Sequence, residues 1–278
     1  MLIGGISALS LAAAVVVCLL GGGFTSVAWL WILPATFLGS FLVLGVLAFL
    51  FFYLMCAVVR LDKPQEKDSP FYRFAVGLLT GAAMTILQMR VHTRGLEQTP
   101  KDGRFLLVCN HLNDLDPVTL LEYFKKSQLA FISKRENSSM FMVGKFMHKL
   151  QCQLINREND REALKTIIRC IQILKEDKAS IAVFPEGYTS RDHKFHHFRS
   201  GVFKIAYKAK VPIVVCTITN THKVFHNALH LKPTDVDLHL LKVIQPEEFE
   251  NLTTVELGEQ IYALMLEDLG PDYAEQNT

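Results

Sequence analysis

The densest chemistry in the sequence is the run Asn110-His111-Leu112-Asn113-Asp114-Leu115-Asp116-Pro117. It follows directly on residues 105–109, an apolar stretch that reads as a buried strand, and residues 118–124 behind it begin a helix. That order puts an imidazole at the end of a strand, where α/β folds place their sites. On a continuous helix His111 and Asp116 would lie about 140° apart around the axis and could not meet. A turn through Asn113 and Asp114 brings them together. A carboxylate bonded to one imidazole nitrogen fixes the tautomer and leaves the other nitrogen as a base. This is the base and orienter of a triad, without its serine. The same residues allow two other readings. Asp116 before Pro117 has the form of a helix cap, and Asp114 is chemically as good a partner for His111. Cys109 adjoins the histidine, but neighbours on a strand face opposite ways, so it reads as buried packing.

A second group is Val183-Phe184-Pro185-Glu186-Gly187-Tyr188-Thr189-Ser190-Arg191. A strand ends there in a turn whose glycine lets the backbone approach a ligand. Six Lys or Arg follow between positions 186 and 210, among three histidines. The segment has the composition of a phosphate cradle, and equally of a turn followed by a solvated basic helix. Ser133-Lys134-Arg135-Glu136 and Asn156-Arg157 likewise follow short strands. Cations thus end at least three strand-like segments and could converge on one anion.

These residues need a scaffold, and the pattern supplies one. The chain has 278 residues, half of them apolar and a fifth charged, which excludes a disordered or low-complexity protein. The first 59 residues carry no charge and no histidine; the first charge is Arg60. That length fits two membrane helices, at residues 2–20 and 35–58, with a break at Gly21-Gly22-Gly23 and Pro34 before the second. Trp29, Trp31 and Tyr53 suit interfaces. No basic residue precedes the apolar run, which argues against a cleaved signal peptide. Arg60, Lys63, Lys67 and Arg73 then place the rest of the chain on the cytoplasmic side. Residues 61–90 read as a linker and a membrane-proximal helix, either lying on the bilayer or tucked under the domain. Residues 91–278 alternate short strands with helices, which predicts an α/β domain with a central mixed or parallel sheet flanked by helices. One helix, at 160–176, would bury Leu164, Ile167, Ile168, Ile171 and Leu174. Six cysteines show no zinc or disulfide spacing. Residues 60–245 carry a surplus of eleven positive charges, which suits anionic lipid or phosphorylated substrates. No helix-turn-helix, zinc-finger or RNA-binding signature points to nucleic acid, and no G-x-S-x-G elbow points to a hydrolase.

Four blocks in order carry a resemblance. Residues 110–116 match the NHx4D pattern of the glycerolipid acyltransferases, and Phe184-Pro185-Glu186-Gly187 matches the opening of their FPEGTRS block. Lys134 and Glu136, with Ile155-Asn156-Arg157, resemble the middle block; Val211-Pro212-Ile213-Val214 resembles the fourth. Over about residues 90–220 the chain therefore resembles the 1-acyl-sn-glycerol-3-phosphate acyltransferases of the PlsC type. The resemblance implies acyl transfer from acyl-CoA or acyl carrier protein to the sn-2 hydroxyl of a lysophospholipid at a membrane, with no other cofactor and no metal. His111 would be the base and Asp116 its orienter. Asn110, Lys134, Glu136, Arg157, Glu186, Gly187, Ser190, Arg191 and Arg199 would form the substrate site. The chain departs from the pattern at Tyr188-Thr189, where Thr-Arg is usual, so the arginine expected on the substrate phosphate is missing and Arg191 or Arg199 would replace it. Val215 stands where a second proline is common. The departure leaves other acceptors open: glycerol 3-phosphate, another lysolipid or an amino lipid. A non-catalytic lipid-binding module is the remaining reading.

Overall fold

The computed structural model describes residues 1–21, 23–63, 65, 67–190, 192 and 194–274. The uncharged run forms α1 (Leu2–Leu20) and α2 (Trp29–Ala57), largely exposed apolar helices that pack on each other. Both are long enough to cross a bilayer. The second starts earlier than the sequence suggests, because Pro34 lies inside it. A proline so near a helix start removes only one backbone bond. Among the described residues eight further α-helices follow in chain order: α3 (Pro70–Ile86), α4 (Asp116–Tyr123), α5 (Phe141–Lys149), α6 (Asp160–Lys175), α7 (Lys204–Ala209), α8 (Val224–Leu229), α9 (Pro246–Phe249) and α10 (Thr254–Leu269).

The membrane-proximal segment becomes α3, capped by Ser69 with Pro70 in its first turn. One face of it is buried between hairpin and domain. Tyr72, Ala75 and Val76 pack on Phe52, Met55 and Cys56 of α2 and on Phe146 of α5, and Thr80 donates to Glu122 of α4 at 2.6 Å.

Among the described residues seven strands make one sheet: β1 (Met89–Arg94), β2 (Leu106–Cys109), β3 (Leu129–Lys134), β4 (Gln153–Ile155), β5 (Ser180–Val183), β6 (Ile213–Ile218) and β7 (Thr234–Ile244), in the order β1-β7-β6-β2-β5-β3-β4. The five from β6 to β4 are parallel; β7 opposes β6, and β1 runs with β7. The sheet is mixed, as expected. Strand alternation sorts the core into two layers. Leu106, Val108, Ile181 and Val183 face Ile173 of α6 and Ile261 and Met265 of α10. Leu107, Cys109, Val214 and Cys216 face Leu120 and Phe124 on the α4 side. Burial on both faces is why these strands read as continuous apolar runs.

Two expectations need correction. The buried face of α6 is Thr166, Ile167, Cys170, Ile173 and Leu174, while Leu164 and Ile168 are 53% and 47% exposed. The small Thr166 and Cys170 let the helix lie against the core on a face one position round from the expected stripe. The sequence pattern signals no strand at β1, and the membrane-proximal segment expected over 61–90 overlaps only its first two residues. β1 is an edge strand with only Arg90 to Arg94 of alternating character, and its charges hide it.

Candidate active site

The C-terminal ends of the parallel strands form the site. Where β2 ends, Asn110 ties it to β6: its side chain donates to the Ile218 carbonyl and accepts from the Ile218 amide, both at 2.8 Å. The next residue is His111. Its Nδ1 lies 2.9 Å from Asp116 Oδ2. A carboxylate can only accept, so Nδ1 carries the proton and Nε2 of the neutral ring has the free lone pair. Thr189 Oγ1 is 2.9 Å from that Nε2. The ring stacks on Phe184 with centroids 4.1 Å apart, and Phe184 in turn on Phe131.

Asp116 is fully buried and densely bonded. Oδ2 also accepts from the Leu112 and Asn113 amides at 2.7 and 2.8 Å, and Oδ1 accepts from the Thr221 hydroxyl. These partners settle both open readings. All of Asp116's backbone partners lie in the loop before it, and the helix cap is Leu115 with no side-chain bond, so Asp116 is not a helix cap. Asp114 is exposed. Asn113 makes the turn instead, its side chain accepting from Leu115 N at 3.1 Å.

The second strand end braces the first. After β5 the chain turns at residues 184–187, closed by Gly187 N donating to Phe184 O at 3.0 Å. Gly187 has φ +84°, and a Cβ there would sit 2.9 Å from Arg199 Nε, so only glycine lets Arg199 lie against the turn. Glu186 is buried. Oε1 accepts from the His111 amide at 2.8 Å and Oε2 from the His196 amide at 3.2 Å. Burial pushes its carboxyl up to about 7, with the two amide bonds pulling it partly back. The Ser190 amide donates to the His111 carbonyl at 3.0 Å. The backbone of His111 is thus clamped on both sides by residues 186 and 190. The Ser190 hydroxyl is spent on the Lys194 carbonyl and Asp192.

Asn110, Glu186 and Ser190, expected on the substrate, are buried with protein partners; they hold the loop that carries His111. The expected cations divide. Arg157, after β4, is half-buried, and its pKa is lowered first by burial and then by the charge of Arg199, with Glu136 opposing. Those three groups share one neighbourhood. Lys134 ends β3, exposed, on the same sheet edge. Arg191 lies outside the described residues. Sequence reasoning missed Thr221, which is 105 positions from Asp116 and carries no local signal, and the stacking role of Phe184. It marked Thr189 only as a departure. Cys109 is buried, and burial holds its thiol well above the usual range, as packing requires. Among the described residues no group of three His, Cys, Asp or Glu side chains is arranged to hold a metal ion.

Comparison with known proteins places the chain in a family. A family model described as "Acyltransferase" matches residues 90–219. The Mycoplasma pneumoniae protein named "Probable 1-acyl-sn-glycerol-3-phosphate acyltransferase" is 31% identical over 65% of this chain and 68% of its own length. The Escherichia coli 1-acyl-sn-glycerol-3-phosphate acyltransferase is 28% identical over 58% of this chain and 66% of its own. The crystal structure of the 1-acyl-sn-glycerophosphate acyltransferase PlsC from Thermotoga maritima superposes with a TM-score of 0.60 at 24% identity, covering 74% of this chain and 81% of that one, and shows the shared fold. With its His111–Asp116 pair at the head of the matched region, the chain belongs to the acyltransferase family of the 1-acyl-sn-glycerol-3-phosphate acyltransferases.

Proposed function

We propose that this protein transfers a fatty acyl group from a thioester, acyl-CoA or acyl carrier protein, to the sn-2 hydroxyl of lysophosphatidic acid, giving phosphatidic acid. The observation that carries the reading is the free nitrogen of His111, fixed by Asp116 and already facing a hydroxyl, that of Thr189. The acceptor hydroxyl takes that place. As its oxygen attacks the thioester carbonyl, Nε2 takes its proton. The C–O bond forms, the C–S bond breaks, and the thiolate leaves and recovers the proton from the imidazolium. Asp116 stabilises that imidazolium. The base contributes ~10²–10⁴-fold, and positioning of the two substrates supplies much of the rest.

The acceptor phosphate would sit between Arg157 and Arg199. Burial and then the charge of Arg199 lower the pKa of Arg157, and an anion between the two guanidinium groups relieves that repulsion; Arg199 stands in for the arginine that Thr189 replaces. Lys134 and Arg191 are further cations of this reading. The acyl thioester is the co-substrate, with no other cofactor called for. The apolar hairpin would keep the site at the cytoplasmic face of a bilayer, so that neither lipid has to leave it, at ~0.8 kcal/mol per CH₂.

Thioester release by purified protein across lysophosphatidic acid, glycerol 3-phosphate and phosphate-free lysolipids tests the acceptor. Lysophosphatidic acid should be used best. Arg157→Ala, Arg199→Ala and Arg191→Ala should be compared on each. Loss of a charge-assisted phosphate contact should cost ~10–200-fold in kcat/KM on phosphorylated acceptors alone. An equal loss on phosphate-free acceptors would contradict the phosphate assignment and point to the different headgroup that Thr189 leaves open.

A further inference from the structure

The connection from β6 to β7 is not used by the chemistry above, and its surface is unusual. Leu229 and Leu231 are 85% and 81% exposed, and Phe225 is 49% exposed. Leu231 has φ +54°, a left-handed conformation that a bulky side chain adopts at a cost. The fold therefore holds an apolar side chain outward at the price of backbone strain. From Thr219 to Thr234 there is no acid, but there are Lys223, Lys232 and three histidines. Ile86, 68% exposed, ends α3 just before Gln88, whose carbonyl accepts from Thr234 where this connection rejoins the sheet. Apolar tips within a basic, acid-free frame complement an anionic lipid surface: the tips enter the acyl boundary while the cations meet headgroups.

Position supports the same occupant. Because β7 opposes β6, the connection lies wholly at the sheet edge that carries His111. The hairpin leaves from that edge too. Tyr53 of α2 meets Phe141 at the start of α5, with ring centroids 4.9 Å apart, whereas Val59, past the end of α2, accepts from Lys145 further along α5. α5 runs from the end of β3 back toward the start of β4, so the free length of α2 extends past the active edge. It does so at the β3–β4 side of the sheet, and α8 stands at the β6–β7 side.

We propose that residues 221–232 form a second bilayer contact, an interfacial anchor for anionic lipid on the flank of the active site opposite the hairpin. It rests on the membrane reading given above. Thr221, the first residue of the anchor, is also the residue that donates to Asp116, so the lipid contact and the catalytic carboxylate are joined through one side chain. A lipid acceptor would enter between two fixed points on the bilayer.

The full chain, reconstituted in phosphatidylcholine vesicles with and without phosphatidylglycerol, tests this. An environment-sensitive nitrobenzoxadiazole dye is placed on a cysteine substituted for Leu231, for Leu42 of the hairpin, or for exposed Leu164 of α6; the native thiols are buried or half-buried. The Leu231→Cys label should be blue-shifted and shielded from aqueous quencher, more so with phosphatidylglycerol, while the Leu164→Cys label stays wet. A Leu231→Cys label as wet as the Leu164→Cys label overturns the proposal whatever the hairpin does. A wet Leu42→Cys label beside a shielded Leu231→Cys label contradicts the hairpin reading and leaves the anchor standing. A protein partner on this face would also leave the Leu231→Cys label wet in these protein-free vesicles. Kinetically, Leu229→Asp with Leu231→Asp should lower kcat/KM on vesicle-borne acceptor roughly tenfold and leave a short-chain monomeric acceptor within about twofold. Equal losses on both, or none on either, would sink the proposal.

Discussion

Asp116–His111–Thr221 and Asp268–His239–Thr217 are two clusters built from the same three side chains on one sheet. In each, a carboxylate accepts from a threonine hydroxyl and lies about a hydrogen bond from a histidine Nδ1, at 2.9 Å in the first and 3.0 Å in the second. Their surroundings differ. His239 sits in a cross-strand row with Arg94 and Thr217, and Asp268 comes down on that row from α10. Arg94 pairs with Asp268 and lies 3.3 Å from His239 Nδ1. A guanidinium there shares the Asp268 carboxylate with His239, so that carboxylate is already matched by a fixed positive charge. The cluster staples α10 to β1, β6 and β7. Asp116 is held instead by amides of its own loop, at a strand end, with His111 stacked on Phe184 and its second nitrogen turned to a hydroxyl. Forming an imidazolium is the task of a base, and only the first cluster leaves that charge to be matched by its aspartate. A His–Asp pair is thus a structural staple or a catalytic device according to which other charge reaches it.

The strongest way to break this comparison is to remove each carboxylate's charge. Asp116→Asn should lower turnover by ~10³–10⁴-fold, since tautomer and imidazolium stabilisation are both lost. Asp268→Asn should keep turnover within about threefold while lowering the thermal midpoint, because Arg94 loses its partner. Equal catalytic losses from both would dissolve the distinction. Deleting the hydroxyls is a finer cut. Thr221→Val should lower kcat by ~10–100-fold with KM nearly unchanged, from one lost bond to a buried charge. Thr217→Val should change stability alone. Activity assays and thermal melts on the same preparations separate these outcomes.

Acid and base titration of stability sharpen it further, with opposite signs. Burial would raise the Asp268 carboxyl, but bonds from Thr217 and His239 and the charge of Arg94 outweigh it and hold the group low. A depressed folded pKa gives stability that is present above the unfolded carboxylate range and lost as pH falls through it. The advantage of wild type over Asp268→Asn should therefore fade below about pH 4. Glu186, pushed up to about 7, behaves the other way. Its contribution is complete below the unfolded pKa and declines as pH rises toward 7. The stability of wild type relative to Glu186→Gln should fall on going from pH 5 to pH 8, by on the order of 3 kcal/mol at most. A flat difference in detergent-solubilised melts would refute the buried-carboxylate argument.

Much of this was readable from residues. The helices at 2–20 and 160–176, the last helix and the core strands follow from where apolar residues cluster, although the buried face of 160–176 does not, and spacing plus a turn through Asn113-Asp114 brings His111 to an aspartate without choosing between Asp114 and Asp116. What stayed hidden depends on long-range geometry. Thr221 reaches Asp116 only because β6 lies beside β2. Glu186 and Ser190 look like ligands for substrate in a list of polar residues, and become braces once both are seen to hold the backbone of His111. Asp116 looked like a cap because capping and orienting use the same oxygen. β1 was lost to its alternating charges, and with it the Arg94 that separates the two clusters.

The most direct test is acyl transfer from acyl-CoA to lysophosphatidic acid by His111→Ala beside His239→Ala, each in membranes with expression and melting checked. The account predicts that His111→Ala loses at least ~10²–10⁴-fold in turnover while folded and membrane-bound, and that His239→Ala stays within about threefold of wild type. Retained activity in His111→Ala, or an equal collapse in His239→Ala at unchanged stability, would contradict it.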